Sequence, residues 1–278
     1  MEEGEAGLRL EQLLRRRLHM ASGQIRSLTW REGALRLNGQ TARAADTLRA
    51  GDRLAVRLDD PTERNLAAPM EAPLRLVYED GDVLLLNKSP DMTVHGAEGG
   101  LCTLANALAF HWPDLPFHPV HRLDRGTSGL ILLAKHAHAQ DVLRRALHTE
   151  NFCREYLALC EGNPGSGRVE LPLGWEGKKR TVDEKGQSAR TDYETLQTAE
   201  GIALVQLRLH TGRTHQIRAH MAALGFPLLG DALYGGAPRL HRPALHSWRV
   251  SFLQPVTGER LCFTVELPED MAAIINEK

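Results

Sequence analysis

Three segments of the chain have the pattern of two apolar strands joined by a tight polar turn. They are 75-RLVYEDGDVLLLNK-88, 190-RTDYETLQTAEGIALVQLRLHTG-212 and 251-SFLQPVTGERLCFTVELP-268. Strand-like runs joined by a short turn containing glycine are typical of β-hairpins. Two further apolar runs, 129-GLILLAK-135 and 154-REYLALCEG-162, predict buried strands, and 137-AHAQDVLRRALH-148 predicts a helix. Many strands with few helices predict an α+β fold built on a large, mainly antiparallel sheet.

The first 60 residues have a different character. Apolar spacing predicts an amphipathic helix over 8–18, and Ser22 is placed to cap a second helix over 23–31. The pair Asn38-Gly39 predicts a two-residue hairpin turn, and a last strand follows the turn at Gly51-Asp52. We therefore divide the chain into a small basic domain (1–60), a proline-containing linker (61–73) and a larger domain (74–278).

Charge is unevenly distributed between these parts. Residues 8–58 contain eleven arginines, no lysine and four acidic residues, an excess of seven positive charges. Because the whole chain has a net charge of −1, the remainder carries eight net negative charges. Such asymmetry is typical of a basic module that binds a polyanion.

Several classes of protein are disfavoured by the sequence. No long apolar run predicts a membrane span, and the N-terminal segment MEEGEAGLRLEQLLRRR lacks the apolar core of a secretory signal. The four cysteines form no CxxC pair, so a disulfide framework or zinc ribbon is not expected, and a cytoplasmic location fits best. No glycine-rich phosphate loop is present. We expect a monomer, since no extended coiled coil or exposed apolar run is evident.

The stretch 119-PVHRLDRGTSGLILLAK-135 places Asp124 in a basic turn that leads directly into an apolar strand. An aspartate between arginines is most often a solvated salt-bridge partner of little energetic value. A carboxylate at the mouth of a sheet is also a candidate catalytic group. The local sequence leaves both interpretations open.

A second candidate segment is 211-TGRTHQIRAHMAALGFPLLGDALYGG-236. Thr214 is placed to cap a helix that ends at Gly225, which puts Arg218 one turn into the helix. If buried, Arg218 needs a carboxylate or a phosphate, and if exposed it is an ordinary surface arginine. Zinc is a further option, because His210, His215 and His220 recur every five residues, although that spacing does not place them on one helical face. His136 and His138 could also chelate a metal, but we expect them on an exposed helix start with no special role.

These segments together resemble the RluA-type pseudouridine synthases. The resemblance runs from about Leu74 to Asp270, through HRLDRGTSGLILLAK, REYLAL, TGRTHQIRAHMAALGFPLLGDALYG and the closing ALHSWRVSFLQPVTGERLCFTVELPED. The basic N-terminal domain resembles a small RNA-binding domain first seen in a ribosomal small-subunit protein. One departure is NKSPDMTVH, residues 87–95, where the family usually has NKPxGxxxH. His121 and Ser128 favour the branch of the family that acts on large-subunit ribosomal RNA.

The resemblance implies isomerisation of uridine to pseudouridine in RNA, without cofactor or metal. By this mapping Asp124 is the catalytic carboxylate, Arg218 holds it ionised, and Tyr156 packs on the uracil and can move a proton. Arg122 would fill the stack after the uridine flips out. The predicted substrate-binding residues are His121, Arg122, Thr127, Arg213, His215 and Leu245.

RNA is the expected partner, most simply ribosomal RNA and alternatively tRNA. Basic residues of the first domain and of 174-GWEGKKRTVDEKGQSAR-190 are the predicted RNA contacts. They are Arg9, Arg15, Arg16, Arg17, Arg26, Lys178, Lys179 and Arg180. Two other functions remain open, a catalytically silent RNA-binding protein and a glycoside hydrolase, the latter disfavoured because only one acid lies in the candidate site segment.

Overall fold

A computed structural model of the protein describes residues 3–96 and 100–276. Its helices, after a 3₁₀ turn at Glu3–Glu5, are α1 Leu10–Leu18, α2 Ser22–Trp30, α3 Leu104–His111, α4 Ala137–Ala146, α5 Gln216–Ala223 and α6 Glu269–Asn276. The first strands are β1 Leu35–Leu37, β2 Gln40–Thr41, β3 Leu54–Val56, β4 Arg75–Glu79, β5 Val83–Lys88, β6 His118–Pro119, β7 Ser128–Ala134 and β8 Phe152–Glu161. The remaining strands are β9 Ser166–Val169, β10 Leu173–Glu176, β11 Lys179–Val182, β12 Thr191–Ala199, β13 Ile202–Leu209, β14 Leu245–Leu253 and β15 Arg260–Thr264.

Ten of these strands form one sheet, in the order β4-β5-β7-β14-β8-β13-β12-β9, with β15 paired to β14 and β6 to β7. The described strand pairs of this sheet are antiparallel except β7 with β14, which run parallel. The predicted α+β fold with a mainly antiparallel sheet is therefore confirmed. All three predicted hairpins are present as β4-β5, β12-β13 and β14-β15.

The parallel contact between β7 and β14 depends on Gly129. This residue has a φ of +107°, and a β-carbon at its position would collide with the backbone carbonyl of Ser247. Glycine alone permits this close approach of two strands. The beginning of β7, which follows the loop carrying Asp124, is thereby held against the beginning of β14.

Both faces of the sheet are buried, which explains why β5, β7 and β8 are continuous apolar runs rather than alternating ones. One face packs on α3 and α5 around Leu86, Leu108, Leu133 and Met221. The other face packs on α4, through residues that include Leu143. Helix α6 covers a third cluster at the end of β8 and β13.

Residues 10–58 enclose a separate hydrophobic cluster. Leu10, Leu13 and Leu14 of α1 pack with Ile25 and Leu28 of α2 above the small sheet β2-β1-β3. The hairpin predicted at Asn38-Gly39 is present, and both residues have positive φ, as a type I′ turn requires. The division at residues 60 and 73 remains a prediction.

The segment 61–73 contains no helix or strand, as expected of a connector. It nevertheless lies against α3. Asn65 donates to the carbonyl of Ala105, and Asn106 donates to that of Ala68. This connector is therefore fixed along the larger domain by side-chain hydrogen bonds.

Two predicted helix starts were wrong. Ser22 lies inside α2, where its hydroxyl accepts a hydrogen bond from Arg15, while the Gln24 side chain accepts from the backbone of Ala21. Thr214 does not cap α5, which begins at Gln216 after a left-handed His215.

The Gln216 side chain explains the later start of α5. Its oxygen accepts from the backbone of Arg213 and the hydroxyl of Thr211, which fixes the turn that precedes the helix. None of the helices in 3–96 and 100–276 combines the length and the apolar character needed to cross a bilayer.

Candidate active site

The candidate site lies where the parallel strands β7 and β14 begin. The loop before β7 carries Asp124, β14 starts with Leu245, and Tyr156 lies on β8 opposite Ser247. Helix α5 brings Arg218 to the same place from the other side. The site is thus built on strands and a helix rather than on loops alone, which favours accurate positioning of its side chains.

These elements enclose a cavity of about 230 Å³. All nine residues predicted as catalytic or substrate-binding line it, although they are widely spread along the sequence. They are His121, Arg122, Asp124, Thr127, Tyr156, Arg213, His215, Arg218 and Leu245. Their convergence in one concave site is what a binding function requires, and their individual roles remain predictions.

Asp124 lies 3.6 Å from Arg218, measured from Oδ2 to Nη1. The guanidinium is buried and also forms a bidentate ion pair with Asp231, with Nε–Oδ2 and Nη2–Oδ1 distances of 2.6 and 2.7 Å. Because Asp231 occupies Nε and Nη2, the remaining Nη1 faces Asp124. Asp231 therefore fixes the orientation of the Arg218 guanidinium, which places a permanent positive charge beside Asp124.

His215 and Tyr234 complete the surroundings of Asp124. The Nε2 atom of His215 lies 3.9 Å from Asp124 Oδ2, and its Nδ1 lies 3.2 Å from the Tyr234 hydroxyl. Burial lowers the pKa of His215, with Asp124 opposing that effect. Tyr234 also exchanges two hydrogen bonds with the backbone of Arg180 on β11. The β10-β11 hairpin is thereby connected to the site.

Tyr156 is buried among apolar side chains that include Leu123, Ile217 and Leu245. Burial raises the pKa of its phenol, so the ring is neutral at physiological pH. Its position in the cavity wall suits an aromatic surface against which a planar base can pack.

Lys88, which was not among the predicted site residues, lies in the NKSPDMTVH segment that departs from the family pattern. It is 1% exposed, and its ammonium donates to the carbonyls of Ser89, Met92 and Arg125. Burial lowers the pKa of Lys88 to about 7, opposed by the charge of Asp124. Lys88 thus ties this segment to the loop that carries Asp124.

Asp91 takes a left-handed conformation with a φ of +69°, at the place where the family usually has a small residue. Aspartate tolerates this region better than most residues. Its carbonyl accepts a hydrogen bond from Arg125. The altered segment therefore contacts the loop that carries Asp124.

The histidines considered for zinc face different partners. His210 bonds to Asp192, His215 to Tyr234, and His220 to Thr191. They do not converge on one point.

His136 and His138 were expected on an exposed helix start, and that expectation was wrong. Both are buried, since α4 packs against the sheet. His136 caps α4 by accepting from the backbone of Ala139, and its Nε2 bonds to Asp82 at 2.9 Å. Burial lowers the pKa of His138 to about 4.

The predicted RNA contacts differ in exposure. Arg9, Arg15, Arg16, Arg17 and Arg26 are exposed, and so is Lys178 at the tip of the β10-β11 hairpin, with Lys179 partly so. Arg180 is instead buried, with its guanidinium 4.0 Å from the ring centre of Trp175. Such stacking gives Arg180 a structural partner, and the prediction of RNA contact in this hairpin rests on the two lysines.

Asp231 and Tyr234 are the main site residues that sequence reasoning missed. Both lie in the quoted segment after α5, so their presence was visible but their pairing was not. A signal was available in Asp231, an acid between apolar residues and glycines, which is seldom buried unless it is paired.

The sequence matches the family model described as RNA pseudouridylate synthase over residues 82–223. The chain is 36% identical to "Ribosomal large subunit pseudouridine synthase D" of Vibrio parahaemolyticus, over 99% of this chain and 92% of that protein. It is 38% identical to "Uncharacterized RNA pseudouridine synthase YlyB" of Bacillus subtilis, over 88% of this chain and 86% of that protein. The chain belongs to the RNA pseudouridine synthase family.

Solved structures agree with this assignment. "Human RNA Pseudouridylate Synthase Domain Containing 1" superposes with a TM-score of 0.60 at 26% identity, covering 71% of this chain and 86% of that one. The protein is thus an RNA pseudouridine synthase of the RluA type, an isomerase that acts on RNA, as the signature segments predicted.

Proposed function

We propose that this pseudouridine synthase modifies large-subunit ribosomal RNA and that Asp124 is its catalytic carboxylate. The observation that carries the catalytic assignment is the Asp124–Arg218–Asp231 arrangement in the wall of the cavity. The observation that favours the RNA target is the similarity, over 92% of its length, to a protein named for the ribosomal large subunit.

Asp124 must be ionised to attack the anomeric carbon of the uridine or to stabilise positive charge there as the glycosidic bond breaks. A cation held nearby favours the charged carboxylate. Arg218 supplies that charge from 3.6 Å, beyond hydrogen-bond distance of Asp124, while Asp231 occupies its Nε and Nη2. The attacking oxygen is therefore left available to the substrate.

The uracil, once released, has to turn before the new carbon–carbon bond forms. Tyr156 offers an aromatic wall for this movement, and its neutral phenol can carry a proton. The target uridine has to leave its stack to reach the cavity, at a cost of a few kcal/mol that is smallest in loops. Arg122, which is exposed and lines the cavity, would fill the vacated position.

Residues 1–60 would supply phosphate affinity that does not depend on sequence. The exposed arginines of α1 and α2 extend over more than one helical face, and the lysines of the β10-β11 hairpin lie on the larger domain. Specificity would then come from the shape of the RNA around the cavity.

A glycoside hydrolase would need a second working carboxylate near Asp124, and Asp231 does not meet that requirement. Asp231 is 1% exposed and both of its oxygens bond to Arg218, so it is not free to act as an acid or a base. The arrangement favours a single working carboxylate.

The substitution Asp124→Asn tests the catalytic role. We expect pseudouridine formation to fall more than about 1,000-fold, because the amide cannot act as the nucleophile, with RNA affinity largely kept. Asp114→Asn, an exposed aspartate outside the cavity, is the matched control and should be fully active. Full activity of the Asp124 variant would contradict the assignment, and inactivity of the unsubstituted protein would favour a silent RNA-binding protein.

Mapping pseudouridines in total RNA from cells with and without the gene tests the target. We expect the sites that disappear to lie in large-subunit ribosomal RNA and to return with the wild-type gene but not with Asp124→Asn. Loss confined to tRNA would contradict the proposed target while leaving the catalytic proposal intact.

A further inference from the structure

Arg154 is a buried cation for which the described part of the chain provides no carboxylate. It lies on β8 two residues before Tyr156 and is 4% exposed. Its Nη2 donates to the carbonyl of Leu147 over a long 3.4 Å, and its Nε is buried without a partner. Arg218 and Arg242, which are also buried, each form bidentate ion pairs with an aspartate.

An unneutralised buried charge is costly, because desolvation is not repaid by an ion pair. Burial accordingly lowers the pKa of Arg154, although a guanidinium remains charged in proteins. The residue is thus unfavourable in the RNA-free protein. An anion that arrives from outside would remove this cost.

Arg154 lines the cavity, whose lining also includes Arg144, His148, Gly212 and Arg213. Four of these five residues are basic or can become so, whereas Asp124 is the carboxylate that lines the cavity. An anion entering here would meet an electropositive wall.

Gly212 makes room for the Arg154 guanidinium. A β-carbon at position 212 would lie 2.9 Å from Nη1 of Arg154, so the guanidinium would have to shift if Gly212 were replaced. The loop before α5 therefore lies directly against the end of this side chain.

His121 adds a second unfilled donor to the same wall. Its Nε2 accepts from the backbone of Leu132, so the proton of the neutral ring is on Nδ1, which is buried without a partner. His121 and Arg154 both contact the ring of Phe152, with centroid distances of 6.1 and 6.0 Å. Arg154 also contributes to a lowered pKa of His121 of about 3, after the larger effect of burial.

We propose that Arg154 binds the RNA phosphate next to the flipped uridine. This rests on the proposed function, since it requires the target nucleotide to enter this cavity. The phosphodiester is the one anionic group that accompanies a uridine, and the planar guanidinium suits bidentate contact with it. The site then recognises a nucleotide within a strand, and free uridine lacks the group that neutralises Arg154.

The test combines a substitution with a neutral phosphate analogue. RNA fragments spanning the mapped uridine carry a methylphosphonate on either its 5′ or its 3′ side, and binding is measured in the Asp124→Asn background. With Arg154 present, we expect the analogue at one of the two positions to weaken binding about 10- to 100-fold, the usual range for a hydrogen bond to a charged group. With Arg154→Gln, natural RNA should bind that much more weakly, and the analogue should cause little further loss.

Arg260→Gln is the matched control, an exposed arginine on β15 outside the cavity, and should keep the full sensitivity to the analogue. Equal sensitivity with and without Arg154 would overturn the proposal. Because the readout is binding rather than turnover, it does not depend on whether Asp124 performs the chemistry.

Stability of the RNA-free protein gives a second readout. Arg154→Met should leave the melting temperature unchanged or raise it, because it removes an unpaired buried charge. A purely structural arginine would instead lower the melting temperature when replaced. Failure of both Arg154→Met and Arg154→Gln to fold would overturn the proposal, since it would mean that the protein itself stabilises this charge.

Discussion

The N-terminal segment and the large sheet use arginine in opposite ways. In α1 and α2 the side chains of Arg15, Arg16 and Arg26 are exposed. Around the sheet, Arg218 and Arg242 are buried and held by aspartates. The first region presents positive charge to solvent, and the second also uses it inside the protein.

Exposed arginines are therefore expected to affect RNA affinity, and buried arginines to affect the positions of neighbouring side chains. Exposed arginines attract a polyanion through long-range forces that salt screens, and they tolerate many arrangements. Buried arginines are shielded from salt and fix neighbouring groups, as Arg218 does for Asp124. Substitutions in the two regions should therefore change different measurable quantities.

Breaking the Arg218–Asp231 pair should have the largest effect. Asp231→Asn leaves a buried guanidinium without its counter-charge, so we expect the free energy of unfolding to fall by about 3–5 kcal/mol. The folded fraction should also lose most of its kcat/KM, because Arg218 can turn away from Asp124. Urea denaturation and single-turnover kinetics measure the two effects.

Asp192→Asn is the control for this substitution, because Asp192 pairs with Arg168 on the exposed edge of the sheet formed by β9 and β12. Its effect on unfolding should be much smaller, and activity should be retained. Similar losses for both aspartates would contradict the distinction between buried and exposed pairs.

Removing exposed charge from the N-terminal segment should have an intermediate effect. For Arg15→Gln, Arg16→Gln and Arg26→Gln combined, we expect the slope of log K against log salt to become shallower by about 0.7–0.9 for each RNA phosphate that the protein no longer neutralises. The kcat at saturating RNA should change little. Filter binding across a salt series measures the slope.

A triple variant that removes the same charge elsewhere, at Arg168, Arg208 and Arg260, is the matched comparison. These arginines lie at the surface of the large sheet. Equal changes of slope in the two triple variants would show that the N-terminal segment has no special part in RNA capture.

The β10-β11 hairpin contains exposed and buried basic residues side by side, with Lys178 exposed, Lys179 partly exposed and Arg180 buried. Lys178→Ala with Lys179→Ala should reduce the salt slope, by less than the triple variant does because two charges are removed instead of three. Arg180→Ala should leave the slope nearly unchanged and slightly lower the melting temperature, because it removes the stack on Trp175, which is 58% exposed. A larger change of slope for Arg180 than for the lysines would reverse this assignment.

Much of the fold could be predicted because its signals are local. The turns at Asn38-Gly39 and Glu200-Gly201 both have positive φ at both residues. The residue types indicate this for Asn38, Gly39 and Gly201. The paired strands follow from apolar runs on either side of such turns. The start of α5 could not be predicted in the same way, since the Gln216 side chain that fixes it also donates to Arg190 and to Thr191 on β12, which are distant in the sequence.

The site itself was predictable only through the resemblance to a family. Nothing local distinguishes Asp124 from a solvated aspartate, or buried Arg154 and Arg180 from the exposed arginines of α1. The pairing of Arg218 with Asp231 depends on how the chain returns after α5, and the burial of His136 depends on the packing of α4 against the sheet. Such facts are set by tertiary contacts that spacing in the sequence does not encode.

The smallest expected effect concerns the exposed ion pair between Asp192 and Arg168. The hydrogen bond from Arg168, and then that from His210, lowers the pKa of Asp192 to about 2. A carboxylate with a depressed pKa in the folded state stabilises the protein above its unfolded pKa of about 3.9, and that contribution disappears as pH falls towards about 2. The small stability difference between wild type and Asp192→Asn should therefore be constant from about pH 7 to about pH 5 and shrink below about pH 4. Thermal unfolding of both proteins across this pH range measures it, and added salt should reduce it at neutral pH because solvent reaches the pair. A stability difference that grows as the pH falls, or that does not change with salt concentration, would show that Asp192 behaves like the buried carboxylates.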